Sequence, residues 1–294
     1  GFLQSLGYAI NMINPSRVII VFDGKGGSSR RRKIFSDYKQ RRRTSYRVNR
    51  LEGLENLEDE KRSMRVQLRR IVDYLELLPV TSISVDGIEA DDAIAYLTRN
   101  ALGDGDKIIM STDKDFLQLV NDNVKVWSPT RKKLYDKQSV LEEYCVTANN
   151  FIMAKVFEGD KSDNINGVKG VATKTLVKNM PTLANEDNTY TLDEVYKYAL
   201  QHKDEGGTFF VKVLQNKELL ERNYKLMQLS DVDISGSTKT KLLDIVRQPI
   251  NRLIKFKFES QFMEDRLFQN LPNISSWLSQ TFTTLDKYAQ VTNG

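Results

Sequence analysis

Short apolar runs recur along the first half of the chain, and each is four to six residues long. They are RVIIVF (17–22), TSISV (81–85), KIIMS (107–111) and VKVWS (124–128). Runs of this length that are rich in β-branched residues are typical of buried strands. The sequence therefore predicts at least four strands before residue 130.

Helical patterns separate these strands. Apolar residues spaced by four and three positions predict one face of an amphipathic helix that stops before Pro79; they are Met64, Leu68, Ile71, Leu75 and Leu78. A further helix is predicted over 89–102, and a short one over DFLQLV (115–120). Strands that alternate with helices indicate an α/β fold with a mainly parallel sheet flanked by helices.

After residue 138 the strand signals fade and helical patterns dominate. They cover 139–157, 172–179, 191–202, 207–228 and stretches beyond 237. We therefore divide the chain into an α/β core over 1–138, a helical region over 139–235 and a C-terminal helical extension over 236–294.

Composition narrows the class of protein. The 294 residues are 40% hydrophobic, which is enough for a core, and no run reaches the roughly 18 apolar residues of a membrane helix. The single cysteine, Cys145, precludes an internal disulfide and fits a reducing compartment, so we expect a cytoplasmic protein. The single histidine, His202, excludes His-rich zinc sites, so any metal must rely on oxygen ligands.

Positive charge is concentrated near the N-terminal end. The net charge is +5, and residues 30–50 hold ten Lys or Arg against one acid, Asp37. Such a block is either a solvated loop or a site for a polyanion. The interleaved aromatic residues Phe35, Tyr38 and Tyr46 favour a nucleic acid, because they can stack on bases while the cations hold phosphates.

Acidic residues recur where predicted strands end. They are Asp23 after the first strand, Glu89, Asp91 and Asp92 after the second, Asp113 and Asp115 after the third, and Asp160 and Asp163 in GDKSDNI (159–165). Ligands of open parallel sheets bind beyond the carboxyl ends of the strands, so we expect the first three groups to converge there and the fourth to fold over them.

Each acid alone has an ordinary explanation as a helix cap or a turn residue. Eight carboxylates at one edge are different, because neighbouring like charges oppose ionisation. A divalent cation removes that conflict, and Mg²⁺ prefers carboxylate oxygens. Two such ions about 4 Å apart can activate water and stabilise the leaving oxygen of a phosphodiester.

Several motifs together resemble one family. In chain order, VDGIEADDAIA, STDKDFLQLV, FEGDKSDNINGVKGVATKTL and ERNYKLMQL resemble the 5′ nucleases, which include flap endonucleases and the 5′-exonuclease domain of bacterial DNA polymerase I. The stretch VKVWSPTRKKLYD is most similar to the T-even phage ribonuclease H branch. The resemblance covers most of residues 15–230 and implies a PIN-like 5′ nuclease core.

The resemblance assigns the eight acids to a metal site with two Mg²⁺, for which Mn²⁺ can substitute. Asp115, Asp160 and Asp163 would serve the second ion, partly through water. The segment NGVKGVATKTLVK (166–178) resembles the loop of a helix–three-turn–helix DNA-binding motif over about 151–179. Its expected DNA contacts are Gly167, Lys169, Gly170 and Lys174, and K⁺ is a candidate ligand of the loop.

The segment SDYKQRR (36–42) resembles the basic motif beside the family's arch, here at about 30–60. The resemblance implies that Lys39 and Arg42 reach the scissile phosphate as catalytic groups, with Arg41 as an alternative to Arg42. Further DNA contacts are expected from the basic block, namely Arg30, Arg31, Arg32, Tyr38, Arg41 and Arg43.

The implied function is a divalent-metal-dependent 5′-3′ exonuclease or flap endonuclease that removes primers and flaps in DNA replication, with ribonuclease H activity. Its substrates would be DNA with a 5′ single-stranded tail and RNA–DNA hybrids. A sliding clamp or a single-strand-binding protein is a candidate partner. We expect no membrane partner, a monomer, and the host cytoplasm if the source is a phage.

One departure from the family keeps two alternatives open. The family begins with a strand that ends in a metal-binding Asp, whereas no acid precedes Asp23. We expect one βα unit of about 30 residues or more to be missing upstream or encoded separately. A structure-specific DNA-binding protein without catalysis is therefore one alternative. A PIN-type ribonuclease is the other, although the arch and the glycine loop disfavour it.

Overall fold

The computed structural model describes residues 1–40, 57–205, 207–269 and 271–291. The α-helices are α1 (Phe2–Ile13), α2 (Ser29–Ile34), α3 (Leu57–Leu75), α4 (Ala90–Asn100), α5 (Lys137–Tyr144), α6 (Phe151–Glu158), α7 (Thr173–Asn179), α8 (Leu192–Gln201), α9 (Thr208–Gln215), α10 (Lys217–Met227), α11 (Gly236–Arg247), α12 (Lys255–Glu264) and α13 (Ile274–Val291). The strands are β1 (Ile19–Phe22), β2 (Thr81–Ser84), β3 (Lys107–Met110), β4 (Val124–Ser128), β5 (Lys133–Tyr135), β6 (Gly159–Asp160) and β7 (Ile165–Asn166).

The described residues group into two compact units that alternate along the chain. Unit 1 draws on Gly1–Phe22, Thr44–Ser84 and Thr240–Gly294, and unit 2 draws on Asp23–Arg43 and Val85–Lys239. The division into three consecutive domains stays a prediction.

Unit 1 contains a parallel strand pair and a helical core. β1 pairs with β2 in register from Ile19 opposite Thr81 to Phe22 opposite Ser84. Side chains from α1, α3, α12 and α13 form one buried cluster with a strongly aromatic centre. Tyr74, Phe258 and Phe262 contact one another in tilted, edge-on and stacked arrangements, which are favourable geometries for aromatic rings.

Unit 2 contains the second sheet. β3 and β4 are parallel, and β5 returns antiparallel to β4. The alternation of strands and helices and the parallel pairing confirm the predicted α/β class. β5 was absent from the prediction, because a three-residue strand is too short to show a pattern. The small antiparallel pair of β6 and β7 was absent for the same reason.

The amphipathic face of α3 is buried only towards its end. Leu75 is buried, and Ile71 packs against the core of unit 1, but Met64 and Leu68 are exposed. The helix ends at Leu75, ahead of Pro79, as the proline predicts.

Two long helical stretches of the prediction are interrupted. The stretch 139–157 divides into α5 and α6, because Cys145 adopts a left-handed conformation with φ of 57° and ends α5. The stretch 207–228 divides at Asn216 into α9 and α10. None of the described helices combines the length and the apolar character needed to cross a bilayer.

Truncation of Phe282 tests the core of unit 1. This side chain is 0% exposed, so Phe282→Ala should leave a cavity and lower the free energy of unfolding by about 3–5 kcal/mol. Phe256 is the matched control, because it is 80% exposed, and Phe256→Ala should change stability by less than about 0.5 kcal/mol. Urea unfolding of both variants measures the difference, and equal losses would contradict this account of the core.

Candidate active site

The acids that follow the predicted strands all lie in unit 2. Asp23 directly follows β1, and its Oδ1 accepts a hydrogen bond of 2.8 Å from the backbone N of Ala90, the first residue of α4. Glu89 is the N-cap residue of α4, and Asp91 and Asp92 lie in its first turn. The helix dipole favours carboxylates at this position, so the start of α4 is a natural place for them.

Arg31 is the buried cation of this region. Its Nη1 and Nη2 donate to Asp92 Oδ2 and Oδ1 at 2.8 Å each, and Nη1 also bonds to Glu89 Oε2 at 2.5 Å. Its Nε donates to the carbonyl of Leu226 at 2.8 Å. Arg31 and Glu89 are 3% exposed and Asp92 is 1% exposed. A fork-shaped guanidinium that binds two carboxylates is among the strongest ionic arrangements in proteins.

These contacts involve three predicted site residues. Arg31 and Tyr38 were predicted to contact DNA, but both are 3% exposed, and the Tyr38 hydroxyl donates to Glu89 Oε2 at 3.3 Å. Asp92 was predicted as a metal ligand, but both of its oxygens accept from Arg31, and Arg30 lies 3.3 Å from one of them. Burial therefore gives Arg31 and Tyr38 internal contacts in place of the predicted DNA contacts, whereas the predicted metal role of Asp92 stays a prediction.

Lys39 joins the basic segment to the acids. Its Nζ bonds to Glu89 Oε1, and its side chain is 13% exposed. Its backbone, with φ of 56°, donates from N to the carbonyl of Asp163 at 2.9 Å. Next to it, Asn164 Nδ2 donates to the carbonyl of Asp37 at 3.0 Å. Two motifs more than 120 residues apart in sequence thus meet at the site.

The acids after β3 are held by their own loop. Asp113 Oδ1 accepts from the backbone N of Asp115 at 2.9 Å, which caps the short 3-10 helix over Lys114–Leu119. Burial, reinforced by the charge of Asp113, raises the pKa of Asp91 to about 7. Burial likewise raises the pKa of Asp115 to about 6, although Lys155 opposes the rise. Burial and the neighbouring negative charges thus both oppose ionisation of these two carboxylates.

Asp160 lies in a tight turn of GDKSDNI. Its Oδ1 accepts from Ser162 N at 2.8 Å and from Ser162 Oγ at 2.6 Å. Its Oδ2 accepts from Lys155 Nζ at 2.9 Å, and the same ammonium lies 2.8 Å from Asp115 Oδ1. Burial alone would raise the pKa of Asp160, but the Ser162 hydrogen bonds and the Lys155 charge lower it to about 2. The ion pair links the acids after β3 to those of the turn.

The remaining basic residues fall into two groups. Arg32 is exposed, and the Arg30 side chain is 23% exposed, so both present charge to solvent. Arg41, Arg42 and Arg43 lie outside the described residues, as does most of the predicted arch.

The glycine loop docks on the end of α6. A Cβ at Gly167 would lie 2.3 Å from the backbone C and O of Glu158, so only glycine fits there. Gly170 has φ of +78°, which also favours glycine. Val168 N donates to the carbonyl of Phe157 at 2.8 Å. Lys169 and Lys174 are exposed beside this loop.

Two residues that the sequence analysis did not assign hold the site together. Lys155 is the one polar residue from Phe151 to Phe157 of α6, and its neighbours Ala154 and Val156 are buried. A lysine in such an apolar stretch signals a buried ion pair. Asn223 is 0% exposed, and its Nδ2 donates to the carbonyls of Val156 and Asn166 at 3.0 and 2.9 Å. It lies in the motif ERNYKLMQL.

The donor set fits a hard divalent cation by its chemistry, because it offers carboxylate oxygens and no sulfur or imidazole. Within the described ranges, however, no three acidic, histidine or cysteine side chains stand together as a ready metal site. The ammonium and guanidinium groups described above already occupy several of the carboxylates. Binding of a metal would therefore require some of these ion pairs to open.

Comparisons with known proteins support the resemblance. A family model described as "5'-3' exonuclease, N-terminal resolvase-like domain" matches residues 1–145. A 5'-3' exonuclease of Aquifex aeolicus is 31% identical over 255 residues, which cover 86% of this chain and 78% of that protein. A protein named flap endonuclease Xni of Shewanella denitrificans is 30% identical over 219 residues, which cover 73% and 75%.

Solved structures share the fold. The T5 D15 protein co-crystallised with metal ions matches with a TM-score of 0.60 and 21% identity over 99% of this chain and 89% of that one. A bacteriophage T5 D15 flap endonuclease (D155K) complex with DNA and metal ions matches with a TM-score of 0.59 and 22% identity over 90% and 89%. At this identity the likeness establishes the fold.

Replacement of Arg31 tests the buried ion network. Arg31→Met would leave Glu89 and Asp92 buried without their main counter-charge, and it should lower the free energy of unfolding by about 3–5 kcal/mol at pH 7. The loss should be smaller at pH 4. Burial raises the pKa of Glu89, but Arg31 and Lys39 outweigh burial and hold this pKa below its usual value. The ionised carboxylate therefore stabilises the fold at neutral pH, and this contribution fades as the pH falls.

Two controls accompany this measurement by urea unfolding. Arg32→Met removes the same charge from an exposed neighbour and should have little effect. Arg31→Lys keeps a charge without the fork and should fall between the wild type and Arg31→Met. An equal loss in Arg32→Met, or a loss that does not depend on pH, would show that the network does not stabilise the fold.

Proposed function

Since the chain belongs to the 5'-3' exonuclease family, we propose that it hydrolyses phosphodiesters at the 5′ ends of branched DNA or RNA–DNA duplexes with Mg²⁺ as its metal. The names of its relatives, 5'-3' exonuclease and flap endonuclease, support this reaction. Removal of primers and flaps during replication is the cellular role that fits such a substrate.

One observation carries the proposal. The backbone N of Lys39 donates to the carbonyl of Asp163, which fixes the basic segment against the acidic turn. A cation that can hold a phosphate is thereby placed beside carboxylates that can hold a metal. Neither group alone distinguishes a nuclease from a nucleic-acid-binding surface, but metal-dependent hydrolysis of a phosphodiester can use both.

The chain's own residues have separable roles in this mechanism. Lys39, released from Glu89, would place its ammonium on the scissile phosphate and stabilise the charge that develops there. Asp23, Glu89, Asp91 and Asp113 would hold one Mg²⁺, and Asp115, Asp160 and Asp163 the other. When bound, this metal pair supplies an activated water and stabilises the leaving oxygen. Arg31 and Asp92 would keep the start of α4 in place.

The glycine loop would hold the duplex away from the scissile bond. Its backbone lies against the end of α6, while Lys169 and Lys174 face solvent, where they can reach phosphates. The Lys212 ammonium already lies 3.3 Å from the carbonyl of Lys169. A K⁺ ion in this loop would therefore share the carbonyl oxygens of the loop with the Lys212 ammonium.

Cleavage of an end-labelled duplex with a 5′ flap tests the reaction. The wild-type chain should release short 5′ products with Mg²⁺ and none with a chelator. The double variant Asp113→Asn with Asp115→Asn should lose cleavage and keep binding, because it removes metal-binding charge and leaves the cationic surface intact.

The chain offers a matched control at the other end of β3. Asp104 and Asp106 have the same spacing but are exposed, so Asp104→Asn with Asp106→Asn should leave cleavage unchanged. If the wild type bound the duplex but showed no Mg²⁺-dependent cleavage, the result would favour a structure-specific DNA-binding protein without catalysis. Cleavage of single-stranded RNA in preference to the flapped duplex would favour a PIN-type ribonuclease.

The salt dependence of binding tests the glycine loop. Each lost phosphate contact lowers the slope of log affinity against log salt by about 0.9. Lys169→Gln with Lys174→Gln should therefore reduce the slope by about 1.8, measured by fluorescence anisotropy on the flapped duplex in a chelator. Lys132→Gln with Lys203→Gln removes the same charge from exposed positions elsewhere in unit 2. Equal slopes for the two double variants would mean that the loop makes no specific phosphate contact.

A further inference from the structure

Lys155 is a buried ammonium at the centre of the acidic site. Its side chain is 14% exposed, and its Nζ lies 2.8 Å from Asp115 Oδ1 and 2.9 Å from Asp160 Oδ2. No other described lysine or arginine is paired with either carboxylate. The ammonium therefore bridges two acids that belong to separate segments of the chain, the loop after β3 and the turn before β7.

The geometry around this bridge is fixed from three sides. α6 carries Lys155 on a helix whose other side chains from Phe151 to Phe157 are buried, so the helix cannot rotate without exposing its core face. Asp160 is held through its other oxygen by Ser162. The backbone carbonyl of Asp115 accepts from Gln118 Nε2 at 2.8 Å. The two carboxylates thus stay close together for as long as a cation lies between them.

We propose that Lys155 acts as a built-in counter-cation that holds Asp115 and Asp160 in place of a divalent metal and competes with such a metal for these carboxylates. The inference rests on the proposed function, because it assigns these acids to the second metal. It extends that function by adding an order of events. Lys155 must release Asp115 and Asp160 before a metal ion can bind both carboxylates.

Formal charge explains why this ion pair would couple metal binding to substrate binding. While the ammonium has not yet left the pair, the two carboxylates and Lys155 together carry a formal charge of −1, and an arriving divalent ion brings this intermediate arrangement to +1. A phosphodiester contributes −1 and restores neutrality. In a poorly solvated site an uncompensated charge is costly, so the second ion should bind weakly without DNA and more tightly with it.

The absence of a ready metal site among the described side chains agrees with this arrangement. An acidic site without a counter-cation would be held apart by repulsion. Here the ammonium keeps the ligands ordered at the expense of metal affinity. Lys155 is a positioning residue in this account, since it acts on the ligands of the metal and not on the phosphodiester.

Mn²⁺ binding to the protein without DNA tests the proposal by isothermal titration calorimetry. Lys155→Met keeps the length of the side chain and removes its charge, and it should tighten one Mn²⁺ site about tenfold or more. Lys155→Arg keeps the charge and should bind Mn²⁺ within about twofold of the wild type. Lys161→Met removes the same charge from an exposed position in the same turn and should also stay within about twofold.

The outcomes separate the possibilities. Equal or weaker Mn²⁺ binding by Lys155→Met would overturn the proposal, and so would an equal gain in Lys161→Met, because the effect would then be one of general charge. If neither the wild type nor Lys155→Met bound Mn²⁺, the metal site of the proposed function would fail as well. If the wild type failed to cleave the flapped duplex while Lys155→Met still gained Mn²⁺ affinity, the proposed function would be overturned. The role of Lys155 would stay supported.

A measurement on the wild type covers the case in which Lys155→Met does not fold. Acetylation by an N-hydroxysuccinimide ester, followed by mass spectrometry, reports how accessible each lysine is. Saturating Mg²⁺ with a flapped duplex should raise the acetylation of Lys155 several-fold relative to the metal-free protein with the same duplex. Unchanged or lower acetylation would show that the ammonium is not released and would overturn the proposal.

Discussion

The pairing of buried carboxylates with buried cations is the constraint on which unit 2 depends. Acids placed at the start of α4 and after β3 cannot share a poorly solvated region unless positive charge compensates them. Arg31 supplies it at one end of the site and Lys155 at the other. Each cation comes from a helix with a separate packing role, so the electrostatics of the site and the packing of the unit cannot be changed independently.

Close backbone contacts then set the position of the surrounding loops. Gly167 lets its loop touch the last turn of α6, the helix that carries Lys155, and Asn223 of α10 ties α6 to β7 through two carbonyls. The loop with exposed lysines and the acidic turn thus share one support. A protein that must hold a duplex and present a single bond for hydrolysis needs a fixed distance between these two regions, and a common helix provides it.

The sequence predicted the strands and the α/β class, because strands and helix starts give local signals. β1 and β2 form one sheet and β3 and β4 belong to another, so the convergence of the acids at a single sheet edge stays a prediction. The sequence could not show that Arg31 points inward. A basic block indicates a solvent-facing surface, and only the tertiary position of Asp92 and Glu89 makes burial of a guanidinium favourable. The interruption at Cys145 and the three-residue strand β5 were missed because they depend on one residue's conformation and on a neighbouring strand.

The way in which the chain alternates between its two units bears on how the protein forms during synthesis. The aromatic core of unit 1 combines α1 and α3 with α12 and α13, so it needs residues from both ends of the described chain. Unit 2 is complete by Lys239, before α12 and α13 have been made. On the ribosome, the unit that holds the acidic site can therefore fold first, while α1 waits with its apolar face uncovered. Contacts of such long sequence separation disfavour rapid closure of the unit 1 core.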